Sequence, residues 1–415
     1  MPQWQSIVIQ TIKIEFYMYN LQNENIVCLA GADWNTPLWT NRQHIMSRLS
    51  NKNRILYIES IGLRTPNFGS KSDLRKIFTR TRNVFTPLEK VNSNLYLLAL
   101  PLIPYYKNGL INAFNKQLLV LYVKKVMRKL NFKRPVLWSY LPHAIWLMER
   151  IDFEYAIYHC VDEYARIPSV ASGSINKMEE AFLKKCDITF VTSKKLYELK
   201  KEHNKNTFYL PNTADFAHFS KAREPSTVIP DDLSKIKRPV LGYIGNLCDH
   251  KVDFDLIGFI AKAMKEWSLV IIGPLWEKNV EANRKLKLLR QQKNIFLLGL
   301  RPYNMLPSYI KGFDVCIIPH KMTPYSQASF PLKTHEFFAS GKPVVCTNLP
   351  SLQEYSELIY FASTPYDFVK QITRALLEND ECKKRKRIHV ASQNTWDLRI
   401  MSMEKLIDET LVTAK

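Results

Sequence analysis

Apolar residues in this chain cluster in short unbroken runs bounded by glycine, proline or charged residues, and between the runs they recur every three or four positions. Unbroken runs mark strands buried on both faces of a parallel sheet, and the wider spacing marks helices laid across it. The first run, 25–30 (NIVCLA), leaves through a turn at Gly31, Ala32, Asp33 and Trp34. A helix over 42–49 and a strand over 54–59 (RILYIE) follow. Further strands are expected at 95–100, 136–139, 155–160, 188–192 and 207–210, then at 239–245, 269–273, 295–298, 315–319 and 343–347. Helices are expected at 109–132, 175–185 and 254–264. This alternation is the doubly wound α/β pattern of Rossmann-like domains. It breaks at 221–238, where Pro225, Pro230 and basic residues intervene, so that stretch reads as a linker between 26–220 and 239–391. Residues 1–25 read as a loose extension ahead of the first strand.

Length agrees with two domains, since 415 residues exceed what a single core serves. Hydrophobic residues make up 46% and charged residues 23%, values of a globular chain without long disorder. No apolar run approaches the roughly 18 to 20 residues of a membrane span, so an integral membrane protein is not expected. Lys13, Glu15 and Glu24 interrupt what would be a signal-peptide core. Seven cysteines, scattered and without zinc spacing, fit reduced thiols in the cytosol.

The formal charge of +21 is uneven. Residues 51–150 hold 18 Lys or Arg against 4 Asp or Glu, so two-thirds of the net charge sits in a quarter of the chain. Such a surface attracts nucleic acid, anionic lipid or an anionic substrate, and a lysine-rich solvated face is the plain alternative. The helix at 109–132 carries apolar residues at Leu110, Phe114, Leu118, Leu119, Tyr122 and Val126 and gathers its cations late. It fits either a core helix or one lying in the plane of an anionic membrane.

Candidate chemistry concentrates at 312–350. A strand, a polar loop, a helix opening near Ser329 and Pro331, a stop at Gly341 and a second strand form one βαβ unit. With Ser329 as cap, free N–H groups and the positive end of the helix face the loop, which makes an anion site. Lys333 adds a charge, and Glu336 on the same face suits a ribose diol. Gly242 and Gly245 permit close backbone approach to a ligand, and Asn246 and Lys251 lie in the turn that follows. In the first half, Asp33, Trp34, Arg42, Glu59 and Arg64 lie near carboxyl ends of strands, where such sheets bind ligands. Asp162 and Glu163 leave a strand end side by side; Asp162 is the candidate base for an acceptor hydroxyl, or a plain helix cap. Asp253 and Asp255 open a helix, so Asp253 reads as a cap and no metal is expected. No phosphate loop of an ATPase or a dehydrogenase is present.

A lone K-x-x-E is an ordinary surface pair, but the string PLKTHEFFASGKPVV resembles the nucleotide-sugar motif of GT-B glycosyltransferases. Three further stretches are similar to that superfamily: YHCVDEY at 158–164, LPNTADFAHF at 210–219 and the turn from Gly299 through Arg301 and Pro302 to Tyr309. The likeness extends to bacterial exopolysaccharide, capsule and lipopolysaccharide enzymes, xanthan-type glucuronosyltransferases among them. It departs at Ala328, where the retaining branch has a first glutamate, and at His159, where an acid is usual.

The resemblance implies two Rossmann-like domains facing a cleft, with a terminal helix at 392–415 crossing back to the first. It implies a metal-independent transferase with a nucleotide-diphosphate sugar, a UDP-sugar, as donor and no cofactor. Gly245, Asn246, Lys251, Arg301, Phe330, Leu332, Lys333 and Glu336 would bind the donor. Lys333 and Asp162 would be catalytic, and Asp33, Trp34, Arg42, Glu59, Arg64 and Glu163 would lie on the acceptor side. The acceptor would be a saccharide or a polyprenyl-diphosphate-linked glycan, met at the cytoplasmic face of the cell membrane on an anionic surface, with no nucleic acid partner. The rival expectations are a silent GT-B-like protein that binds nucleic acid or anionic lipid, and a nucleotide-sugar epimerase.

Overall fold

The buried runs assemble into two sheets, one from each half of the chain. The computed structural model describes residues 21–60, 88–100, 102, 109–166, 172–274 and 280–413. In the first lobe β1 (Asn25–Leu29), α1 (Asn41–Leu49), β2 (Arg54–Ile58), β3 (Leu88–Lys90), β4 (Leu95–Leu98), α2 (Gly109–Lys129), β5 (Val136–Ser139), β6 (Ala156–Cys160), α3 (Ser172–Leu183), β7 (Ile188–Val191), α4 (Lys194–Lys200) and β8 (Thr207–Tyr209) follow one another. The strand order is β3-β4-β2-β1-β5-β6-β7-β8, parallel throughout except that β3 runs antiparallel to β4. Register is set at the centre, with Ile26 opposite Ile55 on one side and Val136 on the other. The strand interiors are buried on both faces, which is why they appear in sequence as unbroken apolar runs.

The second lobe is built from β9 (Val240–Ile244), α5 (Phe254–Ala263), β10 (Ser268–Ile272), β11 (Ile295–Gly299), β12 (Val315–Ile318), α6 (Pro324–Gln327), α7 (Lys333–Ser340), β13 (Val344–Thr347) and β14 (Ile359–Ala362). Its order is β11-β10-β9-β12-β13-β14, all parallel. In each sheet the chain winds outward one way and then restarts beside its first strand. That reversal falls between β1 and β5 in one lobe and between β9 and β12 in the other, and loops diverge there to leave a crevice.

Two strands go beyond the expected set. β3 and β14 are edge strands, β3 with two of its three residues exposed and β14 half-buried at its centre, so neither shows an unbroken apolar run. One expectation is corrected. Helix α7 opens at Lys333 with Leu332 at its cap position, not at Ser329. The Ser329 hydroxyl donates to the Ser326 carbonyl at 3.1 Å, and the Ser329 carbonyl accepts from Ser351 Oγ at 2.7 Å, so this residue is committed to the preceding turn. The helix ends at Gly341 in the left-handed region, φ +76°, as expected of a glycine stop.

Asp253 caps α5, its carboxylate accepting from Leu256 N at 3.0 Å. The segment 221–238 is packed down: Leu233 and Ile236 are buried in the second lobe's core with Val240, Ile310 and Phe313. The last helix, α8 (Trp396–Thr413), crosses back and buries Trp396, Ile400, Met403 and Ile407 in the core of the first lobe. Arg48 of α1 pairs with Asp397 at 3.1 Å. Among the described residues no helix is long and apolar enough to cross a membrane.

Candidate active site

Two loops at the second lobe's reversal build the site. The turn after β9 starts at Gly245, whose φ of +152° only glycine adopts readily, and a Cβ there would collide with the side chain of Lys333. The Lys333 ammonium thus lies directly over the turn, 5.6 Å from the centre of the Tyr243 ring. The loop after β12 is laced to the same turn: Asp253 N donates to Pro319 O at 2.9 Å, and Lys321 N to Lys251 O at 2.8 Å. Asn246 is exposed at the tip of the turn and its carbonyl accepts from the Tyr243 hydroxyl.

Lys333 and Glu336 are both half-buried, and among the described residues neither side chain makes a hydrogen bond or ion pair. Burial, then the neighbouring charge of Lys251, pulls the Lys333 pKa down, with Glu336 opposing. Burial pushes the Glu336 pKa up, with Lys333 opposing and Asp215 adding to the rise. Both groups are therefore held short of full charge compensation. An anion beside Lys333 would raise its pKa again, because opposite charge favours the ionised form.

The other expected donor residues are placed less simply. The Arg301 guanidinium is turned to the linker, pairing with Asp232 at 2.7 Å and donating to the Tyr309 hydroxyl at 2.7 Å, so that position offers only its backbone to the site. Phe330 is buried; its carbonyl accepts from Asn212 Nδ2 at 3.0 Å, and its ring stacks on His335. Leu332 packs against the first lobe's core.

Across the gap, Asp162 stands at the end of β6, and its Oδ1 accepts from the Tyr325 hydroxyl at 2.8 Å. Arg42 lies beside it, donating to Tyr164 Oη at 2.7 Å with its guanidinium over the Tyr140 ring. Glu163 faces the opposite way. Its carboxylate joins Glu179 around Lys200 Nζ, at 3.1 and 2.8 Å, beneath a groove between α3 and α4 of about 420 Å³. Of these two acids it is Asp162 that reaches the gap, while Glu163 is held by Lys200, and the expectation for Glu163 is corrected.

Trp34 is buried against Trp39 and Tyr57 as part of the core. Glu59 accepts from Trp34 N at 2.9 Å and Asp33 from Ser60 N at 3.3 Å, so these two acids brace the turns after β1 and β2. Arg64 lies outside the described residues.

Residues 238–378 match the family model described as glycosyl transferases group 1, a span that contains Gly245, Lys251, Lys333 and Glu336. The second lobe therefore carries a glycosyl transferases group 1 domain, and the two lobes have the GT-B fold. It is 28% identical over 286 residues to the putative teichuronic acid biosynthesis glycosyltransferase TuaH of Bacillus subtilis, covering 64% of this chain and 70% of that one. Solved structures share its fold. Sucrose-phosphate synthase from Thermosynechococcus elongatus superposes with a TM-score of 0.69 at 15% identity, over 94% of this chain and 100% of the other. Anabaena HepE in complex with UDP and glucose gives 0.64 at 14% identity, over 94% and 99%. The trehalose 6-phosphate synthase of Burkholderia multivorans gives 0.65 at 12%, over 95% and 100%.

Tyr325 and His320 had no assigned role in the sequence reading, and Tyr303 had none beyond its place in the turn from Gly299 to Tyr309. Tyr325 sits on the short helix α6 inside the loop after β12. His320 lies two residues past the end of β12, a position the strand-end rule singles out once the sheet order is known. Tyr303 stacks on His218 at 4.4 Å and lies near enough to Glu336 for that carboxylate to help raise its pKa, after burial.

Proposed function

We propose that the protein transfers a sugar from a UDP-sugar to a saccharide carried on a polyprenyl diphosphate, in the assembly of a bacterial surface polysaccharide. The observation that carries this reading is Lys333, a half-buried cation without an ionic partner among the described residues, held over a glycine turn at the crevice of the second sheet. Such a cation and the adjoining helix end suit a diphosphate, whose charge grows at the leaving oxygen as the glycosidic bond breaks. Glu336, three residues on, suits the ribose diol. The UDP found in HepE and the teichuronic acid role given to TuaH support the donor and the pathway class.

On the acceptor side, Asp162 receives the acceptor hydroxyl. If the anomeric centre inverts, Asp162 takes its proton; if configuration is retained, Asp162 orients the hydroxyl and the departing phosphate takes the proton. Charge stabilisation by Lys333 needs no metal ion. The first lobe meets the anionic inner leaflet through α2, whose outer face exposes Leu110 (83%), Phe114 (52%) and Leu121 (59%) and ends in Lys125, Arg128 and Lys129. The test is a thermal-shift screen with UDP-, GDP- and TDP-sugars followed by turnover on a lipid-linked acceptor. A rise in melting temperature with UDP-sugars and transfer of the sugar are expected; no rise with any nucleotide sugar would refute the reading.

A further inference from the structure

His320 is the first residue past Pro319 at the end of β12, on the side of the reversal that faces the turn after β9. It pairs with Val252 in an isolated antiparallel bridge, so the loops after β9 and β12 are pinned together where its ring lies. The ring is 1% exposed, and both of its nitrogens are buried without a hydrogen-bond partner. Buried polar groups are paired in the great majority of cases, so an exception at a ligand crevice points to a partner that arrives with the ligand.

Among the described residues His320 is the histidine with both ring nitrogens buried without a hydrogen-bond partner; His44 and His159 each leave only Nδ1 so, and His335 is satisfied within the fold. His335 places Nδ1 at 2.9 Å from Asn212 O and Nε2 at 3.1 Å from the Tyr355 hydroxyl. His320 instead lies within electrostatic reach of Lys251 and Lys333, which together with burial hold its pKa well below the usual histidine value. Two cations repel a third, so the ring is neutral in the empty site. A neutral imidazole always carries one N–H, and beside two lysines without an ionic partner among the described residues that donor calls for an anionic acceptor.

We infer that His320 is a direct donor-substrate contact, its ring N–H donating to a phosphate oxygen of the nucleotide diphosphate between Lys251 and Lys333. This deepens the donor-site reading above and rests on it. It assigns the diphosphate three ligands from three segments: the β9 turn, the end of β12 and the first turn of α7. The β12 contact also makes phosphate binding sensitive to the loop that carries Tyr325, because His320 and Tyr325 are five residues apart.

The experiment measures binding of UDP and of uridine by calorimetry, with uridine followed by displacement of UDP, to the wild type and to His320→Phe and His320→Asn. Phenylalanine keeps a ring and removes the N–H; asparagine keeps a side-chain N–H. A loss of tenfold or more in UDP affinity for His320→Phe, unchanged uridine affinity and partial recovery in His320→Asn are expected. UDP affinity within twofold of the wild type in His320→Phe overturns the inference while leaving the donor site intact. An equal loss for UDP and uridine also overturns it, because that marks a structural role. A wild type that binds none of UDP, GDP or TDP removes the donor-site reading and the inference with it. Where the phenylalanine variant does not fold, His320→Leu takes its place.

Discussion

The hydroxyl of Tyr325, on the second lobe, donates to Oδ1 of Asp162, on the first, at 2.8 Å across the cleft. One carboxylate oxygen is thereby fixed and the other left for an acceptor hydroxyl. Tyr325 stands on the helix that occupies the segment before Ala328, and Ala328 itself is buried against the first lobe's core, its carbonyl accepting from Ser193 Oγ at 2.7 Å. An acidic side chain at 328 would be buried in that contact, so the missing first glutamate of the retaining pattern has a structural reason.

Asp162→Asn is expected to lower kcat by about a hundredfold or more, the range of a lost acid–base or orienting group, with UDP affinity unchanged. Tyr325→Phe is expected to lower kcat by about tenfold, again without a change in UDP affinity. Steady-state kinetics with calorimetry of UDP binding check both. Wild-type turnover in either variant would remove that residue from the chemistry.

Gly245→Ala places a Cβ in the space of the Lys333 side chain and in a backbone region that alanine avoids. The variant is expected to lose at least tenfold in UDP affinity while melting within a few degrees of the wild type. Calorimetry and a thermal scan give the two numbers; unchanged affinity would show that Lys333 does not need its position over the turn.

Much of the fold was legible because parallel sheets announce themselves as unbroken apolar runs. β1, β5, β9 and β12 all lie centrally, and each was expected within a residue or two of its place. β3 and β14 lie at edges, where half of each strand faces solvent and the run disappears. Lys333 and Glu336, carried by a motif, were expected on one helix, and both lie in α7. The pairings of Arg301 with Asp232 and of Glu163 with Lys200 were not legible, because the partners are distant in sequence and no local spacing reveals them. Tyr325 and His320 stayed hidden because their meaning depends on strand order and on which lobe faces them.

Burial pushes the rings of His44, His143, His159 and His335 down to about 3, and all four are almost wholly covered. With folded pKa values below the unfolded value near 6.5, the unfolded chain binds more protons as pH falls. Stability is therefore full above pH 6.5 and declines below it, by about 1 kcal/mol for each histidine one pH unit down. The melting temperature is expected to fall by several degrees between pH 7.5 and 5.5. A scan at the two values checks this, and an unchanged midpoint would contradict it.

The outer face of α2 joins exposed Phe114 and Leu121 to a cationic end. Flotation with vesicles containing anionic lipid is expected to recover the protein at low salt. Recovery should weaken severalfold in 0.5 M salt, and in Phe114→Ser with Leu121→Ser. Recovery indifferent to lipid charge and to both serines would remove the membrane from the account.

The account turns on Lys333 as the group that grips the donor's diphosphate. Calorimetric titration of UDP into the wild type and Lys333→Ala tests it most directly. The account predicts a loss of about 2 kcal/mol or more, roughly thirtyfold in Kd, in a variant that melts at or above the wild-type temperature, since a half-buried charge without an ionic partner has been removed. Equal UDP affinity in the two proteins would contradict it.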